Sequence, residues 1–187
     1  MRTKDPEKQR RIKDAMISLI LKEGISGASV AKIARDAGVS PATIYVYYDS
    51  KEEMLAEVFS EYAFSTYHYL TERIYREMSG AQLIDTLIRS TYAYASEHEE
   101  IFSFVEQCSC CPTLQESVCH TECSFDLLDL IHDYQKRGIF RTCSDENLTA
   151  VLFAPVRYIA KNRRSSPDPE GQLNELIRMM QIMLLNR

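Results

Sequence analysis

Three sets of side chains in this 187-residue chain have types and spacings that could do chemistry. The first is a run of thiols, Cys108, Cys110, Cys111, Cys119 and Cys123, five of the six cysteines, with His120 beside them. Cys119 and Cys123 stand four residues apart and would share a helical face, and Cys108-x-Cys110-Cys111 adds further soft donors for Zn²⁺ or Cu⁺. The order Cys-x-Cys-Cys-x7-Cys-x3-Cys nevertheless matches no strong zinc spacing. Three uses stay open: reduced thiols packed as small hydrophobes, a thiol or oxidant switch, and soft-metal sensing. The second set is aromatic. Tyr62, Tyr69, Tyr92 and Phe102, with Cys119 and Cys123, could line a pocket for an amphipathic organic effector, although an aromatic stripe at helical spacing also suits a core. The third set lies between Ser29 and Lys51 and mixes hydroxyls, lysines and small apolar side chains. Nothing pairs a nucleophile with a base: the histidines are His68, His98, His120 and His132, and Cys119 and His120, as helical neighbours, would point about 100° apart. Without a Gly-rich phosphate loop either, no catalytic residue and no cofactor are expected.

The third set is positioned by punctuation. Ser29 can cap a short helix with Val30, Ile33, Ala34 and Ala37 facing inward, and Gly38 can take positive φ at its end. Ser40 caps a second helix and Pro41 occupies its first position, where a missing N–H costs nothing. Two short helices joined by a turn of three or four residues make a helix-turn-helix. Ser50 with Glu53 offers a capping box for the helix that follows.

The run Ile33-Ala34-x-x-Ala37-Gly38-Val39-Ser40-x-Ala42-Thr43-Ile44-Tyr45-x-Tyr47-Tyr48-x-Ser50-Lys51-Glu52-x-Met54-Leu55 resembles the DNA-binding signature of the TetR (tetracycline repressor) family. The resemblance covers roughly residues 7 to 60. It implies a ligand-responsive transcriptional regulator, a repressor that binds a palindromic double-stranded DNA operator as a homodimer and is released by a small-molecule effector. It also implies that Thr43, Tyr45, Tyr47 and Lys51 contact phosphates or bases, with Ser29, Lys32 and Ser40 on neighbouring phosphates. The second helix of the motif should lie in the major groove. Residues 40–47 hold no Arg, Lys, Asn or Gln, the usual base-reading side chains. Pro41, Ala42, Thr43, Tyr45, Val46 and Tyr47 are the expected exposed set, with Ile44 and Tyr48 toward the core. Thymine methyls would then be read by Pro41, Ala42 and Val46, and hydroxyls supplied by Thr43 and Tyr47, which predicts a T/A-rich half-site.

The rest of the chain reads as helices. Residues 7–23 carry Ile12, Ala15, Met16, Leu19 and Ile20 on one stripe, with Lys8, Arg10, Arg11 and Lys13 at the N-terminal half, behind an arm of residues 1–6. Residues 50–78 form one long helix or two end to end, and the resemblance makes this the link that swings between reading head and ligand domain. Further helices are expected over 81–97, 98–112, 113–137, 144–164 and 169–186. The last two carry wide apolar stripes, and the resemblance implies a homodimer through about 144–186. The expected fold is all-α with about nine helices: a helix-turn-helix DNA-binding domain over 1–51, and a ligand-binding and dimerisation domain over 52–187.

Charge supports that division. The net charge is −5, yet residues 1–51 hold ten Lys/Arg against six Asp/Glu, and residues 52–187 hold twelve against twenty-one. A basic head can meet phosphates while an acidic remainder stays off the duplex. No run of 18 apolar residues and no apolar leader are evident, so a cytoplasmic protein with no membrane partner is expected.

Overall fold

A computed structural model describes residues 5–109, 111, 114 and 122–186, and the side chains of these except 122–126. Among the described residues there are nine helices: α1 (Pro6–Gly27), α2 (Val30–Asp36), α3 (Pro41–Tyr47), α4 (Lys51–Thr71), α5 (Gly80–Glu97), α6 (Glu99–Ser109), α7 (Glu122–Lys136), α8 (Asp145–Asn162) and α9 (Pro169–Leu184). The all-α fold expected from the sequence is the fold observed. The chain divides into two compact units, one of residues 1–63 with 100–119, the other of 64–99 with 120–187.

The first unit is built on Ile12, Met16 and Ile20 of α1, which pack with Ile33 of α2, Ile44 of α3, and Met54, Val58 and Phe59 of α4. Its helices begin where side chains satisfy the free amides of a first turn. The Asp5 carboxylate accepts from the N–H groups of Glu7 and Lys8, Ser29 Oγ from that of Lys32, and Ser40 Oγ from that of Thr43 at 3.2 Å. Half of the expected capping box forms at α4: Ser50 Oγ accepts from Glu53 N–H at 3.0 Å, while the Glu53 carboxylate takes the N–H of Asp49 instead of that of Ser50. Gly24, the residue after the helix expected over 7–23, only interrupts α1: its φ of 78° kinks the helix, which resumes to Gly27. Gly38, at φ 66°, makes the turn between α2 and α3 as expected. Gly38→Ala would hold an L side chain in the left-handed region, and a loss of about 1–2 kcal/mol is expected in urea unfolding.

The second unit packs α5 against α8 and α9, with Leu83, Leu87, Leu148, Leu152, Val156, Leu173 and Ile177 buried. Ser79 opens α5 with a complete capping box, its hydroxyl on Gln82 N–H and the Gln82 side chain on its own N–H. The entry is tight. A Cβ on buried Gly80 would stand 2.6 Å from Leu185 and 2.7 Å from Ile139. Gly80→Val is therefore expected to cost about 1–3 kcal/mol by overpacking, read as a lower urea midpoint at unchanged slope. Arg89 holds α5 to α9 through Glu170 at 2.8 Å and Asn174, while pairing with Asp85 on its own helix.

Candidate nucleic-acid interface

The helix-turn-helix places the expected residues unequally. Pro41 and Ala42 are exposed, as are Tyr45 and Val46 at 55% each. Thr43 is half-buried, and its hydroxyl meets Ser40 Oγ at 2.9 Å. Tyr47, expected on the exposed face with its hydroxyl free for a base, is 8% exposed. The reason is helical phase: Tyr47 stands three residues after Ile44 and so shares its inward face. Its hydroxyl accepts from the N–H of Asp5 at 3.0 Å and donates to the Asp5 carbonyl at 3.2 Å. Ile44 and Tyr48 are buried, as the sequence suggested.

The two lysines of the motif are turned onto the chain itself. Lys51 Nζ donates to the Ile25 carbonyl at 2.9 Å, and Lys32 Nζ donates to the Gly27 carbonyl at 3.1 Å while pairing with Glu23. Carbonyls at a helix end lack intrahelical partners and carry partial negative charge, so two cations there offset both deficits. An ammonium has three donors, so this duty leaves N–H groups for a phosphate. Spacing alone could not have disclosed it, because it depends on where the kink at Gly24 puts the end of α1.

Arg10 lies in an i, i+3 pair with Glu7, and Lys13 pairs with Glu61. Arg11, Lys22 and Arg35 line a concavity of about 650 Å³ beside Gly38, together with Asp14 and Asp36. Like signs there do not accumulate.

The nominated pocket residues do not form one cluster within a unit. Tyr62 and Phe102 belong to the first unit, where the Tyr62 and Phe104 rings meet edge to face at 6.4 Å. Tyr69 and Tyr92 belong to the second, where Tyr69 packs on Tyr94 at 5.0 Å beneath the Arg73 guanidinium, 3.7 Å from its ring centre. The roomiest concavity described in the second unit, about 630 Å³, is lined by neither: it lies against His68, Glu72, Ile74, Leu127, Asp129 and Leu130, among others. No motif marks that surface; its only trace in the sequence is the spacing of carboxylates and leucines along α4 and α7. An apolar cleft beneath Tyr67, between Leu127, Ile131, Leu148 and Leu152, holds about 40 Å³, hardly more than one water's share of volume.

Of the thiols, Cys110 and Cys119 lie outside the described residues, and Cys123 is described only by its place on α7. Cys108 is wholly buried on α6 in the first core, and Cys111 is half-buried. Burial, with a lesser push from Cys111, raises the Cys108 thiol to about 12. It packs as a hydrophobe, one of the three uses left open above. Since the thiolate is the reactive form, native protein at pH 8 is expected to leave Cys108 unalkylated by iodoacetamide, and urea to expose it; mass mapping of the labelled cysteines reads the result. Among the described residues no group of three or more His, Cys, Asp or Glu could hold a metal ion, and no helix is long and apolar enough to cross a membrane.

Comparison with known proteins adds to this geometry. Residues 12–58 match the family of bacterial regulatory proteins described as the tetR family. The chain is 26% identical to an uncharacterised HTH-type transcriptional regulator of Haemophilus influenzae over 151 residues, 79% of each protein. It is 41% identical to the fatty acid metabolism regulator protein of Bacillus subtilis over 61 residues, 33% of this chain and 31% of that one. Among solved structures, a TetR family transcription regulator from Marinobacter aquaeolei superposes with a TM-score of 0.84 at 21% identity over the whole of both chains. FadR from Bacillus subtilis, crystallised with stearoyl-CoA, gives 0.66 at 19% identity over 91% of this chain and 96% of that one. At these identities the two structures share the fold with this chain.

Proposed function

Since this chain belongs to the TetR family and is a DNA-binding transcriptional regulator, we propose that it is a repressor, holding a palindromic operator as a homodimer until a small-molecule effector releases it. Residues 1–51 read DNA, and residues 52–187 bind the effector and dimerise in the cytoplasm. The observation that carries the reading is the exposed face of α3, where Pro41, Ala42, Tyr45 and Val46 stand free beside the caps at Ser29 and Ser40. With no guanidinium or amide on that helix, sequence is read through thymine methyls, by apolar contact from Pro41, Ala42 and Val46. Tyr45, Thr43, Ser29, Ser40, Lys32 and Lys51 serve the phosphates.

Dimerisation through α8 and α9 is supported by the apolar side chains these helices leave in solvent, Tyr158, Met179, Ile182 and Met183. A two-fold dimer sets two heads one helical turn of DNA apart. Release requires an effector that binds one arrangement of the protein better than the other, since equal affinity for both moves nothing. α4 is the covalent route for that signal, because its residues 51–63 belong to the first unit and 64–71 to the second. Long-chain acyl-CoA thioesters are the first effector class to try, on the strength of the fold shared with FadR; the small apolar cleft under Tyr67 would have to open to take an acyl chain.

Selection of bound sequences from random duplex DNA at fixed, near-physiological salt tests the reading. Enrichment of a palindromic, T/A-rich site, with binding weakened when deoxyuridine replaces its thymines, is the expected result. Enrichment of nothing, or of a single non-repeated half-site, overturns the dimeric operator. Displacement from the selected site by stearoyl-CoA, monitored by fluorescence anisotropy, tests the effector class separately.

A further inference from the structure

We propose that Gln107 of α6 is a positioning residue for DNA binding: its side-chain amide fixes the kinked end of α1, the stretch of backbone that holds Lys51 for the duplex. The proposal rests on the DNA-binding reading above. At Gly24 the φ of 78° breaks the run of α1, so the carbonyls of residues 20–23 are those of a helix's last turn, which take donors from elsewhere. Gln107 Nε2 donates to the first of them, the Ile20 carbonyl, at 3.3 Å across 87 residues of sequence. The same nitrogen stands 3.9 Å from where a Cβ on Gly24 would lie, so the amide packs against the kink itself. The far end of the segment is held by α2, where Lys32 donates to the Gly27 carbonyl at 3.1 Å and pairs with Glu23. Between these two anchors the Ile25 carbonyl receives Lys51 Nζ, from the first residue of α4, at 2.9 Å. Side chains of α2, α4 and α6 thus meet on residues 20–27, all within the first unit.

The Lys51 ammonium spends one N–H on Ile25, and that bond decides where its other two point. A shift of the Ile25 carbonyl therefore re-aims the cation, and ordering it again on a phosphate costs conformational entropy. The backbone does not fix the segment by itself, because a glycine at positive φ has the widest choice of conformations. Gln107 supplies the missing constraint from a firm base: the next residue, Cys108, is wholly buried in the first core, and Phe104, one turn earlier, is buried there too. α6, far along the chain from the helix-turn-helix, would in this way set the strength of a contact that it does not itself make.

The test compares wild type, Gln107→Met, Lys51→Met and the double variant on the selected operator across about 50 to 200 mM salt. Gln107→Met keeps the length of the side chain and loses its donor. It is expected to weaken binding by roughly fivefold and to flatten the slope of log K against log salt by about one, as if one phosphate contact were lost. Gln107→Asn, whose amide falls a methylene short of Ile20, carries the same expectation and serves if the methionine variant melts too low to assay. Lys51→Met is expected to lose at least as much, and the double variant to bind within about twofold of Lys51→Met, with no further change of slope. A merely structural role for Gln107 would lower the melting temperature and leave the slope alone. Wild-type affinity and slope in the Gln107 variants would overturn the proposal, as would weaker binding at an unchanged slope. Losses that multiply in the double variant would overturn it too, since Gln107 would then act by a route other than Lys51. Wild type bound to no operator would overturn the DNA-binding reading and this one with it; the other outcomes leave that reading standing.

Discussion

Tyr158→Asp combined with Ile182→Asp is expected to yield a folded monomer that binds the operator at least about a hundredfold more weakly than wild type. Both side chains are 72% exposed, so the carboxylates disturb no core of the single chain. In a two-fold interface built on these helices the new carboxylates would be stripped of water without partners while apolar contact is lost. Two heads held at a fixed spacing bind as one event; two separate heads each bear the full cost of association. Sedimentation should show the monomer mass and anisotropy the weakened binding. A double variant that still sediments as a dimer would place the interface elsewhere.

Phe104→Ala should destabilise the first unit by about 3–5 kcal/mol. The ring is wholly buried and meets Tyr62 edge to face, an arrangement worth about 0.5–1.5 kcal/mol beyond its buried area. The residue is far in sequence from the reading head, yet it packs in the same core as Ile12, Ile33 and Ile44. Urea unfolding of the variant, followed together with operator binding, should therefore show the head losing stability through a residue of α6. A loss under about 1 kcal/mol would mean that α6 is dispensable to that core.

Where the sequence reading succeeded, a short-range cause was at work. Ser29 and Ser40 each cap a helix through a side chain that reaches only three residues along the chain. Where it missed, the cause came from afar. Residues 50–78, expected as one long helix or two end to end, give a helix that ends at Thr71, with no proline or glycine to mark the spot. The Thr71 hydroxyl turns back onto the carbonyls of Tyr67 and His68, and Tyr134, more than fifty residues on, donates to the Met78 carbonyl. The Tyr47 hydroxyl likewise finds its partner 42 residues upstream, at Asp5, although the burial of its ring follows from helical phase. The candidate site was legible in the types and caps of α2 and α3. The duties of Lys32, Lys51 and Tyr47 were not, since each depends on where another helix begins or ends.

The first unit takes its residues from two separated stretches, 1–63 and 100–119, and this sets an order of events during synthesis. The helix-turn-helix leaves the ribosome early, yet Phe104 and Cys108, which close its core, follow only after the whole of α5. At about 5–20 residues per second, the forty-odd residues between Ala63 and Cys108 keep that core open for roughly two to nine seconds. Throughout that interval the part of the core that Phe104 and Cys108 complete lacks their side chains on a nascent chain. The reading head is thus an early product of translation that matures late, and a transcript cut short before α6 would release a helix-turn-helix lacking part of its own interior.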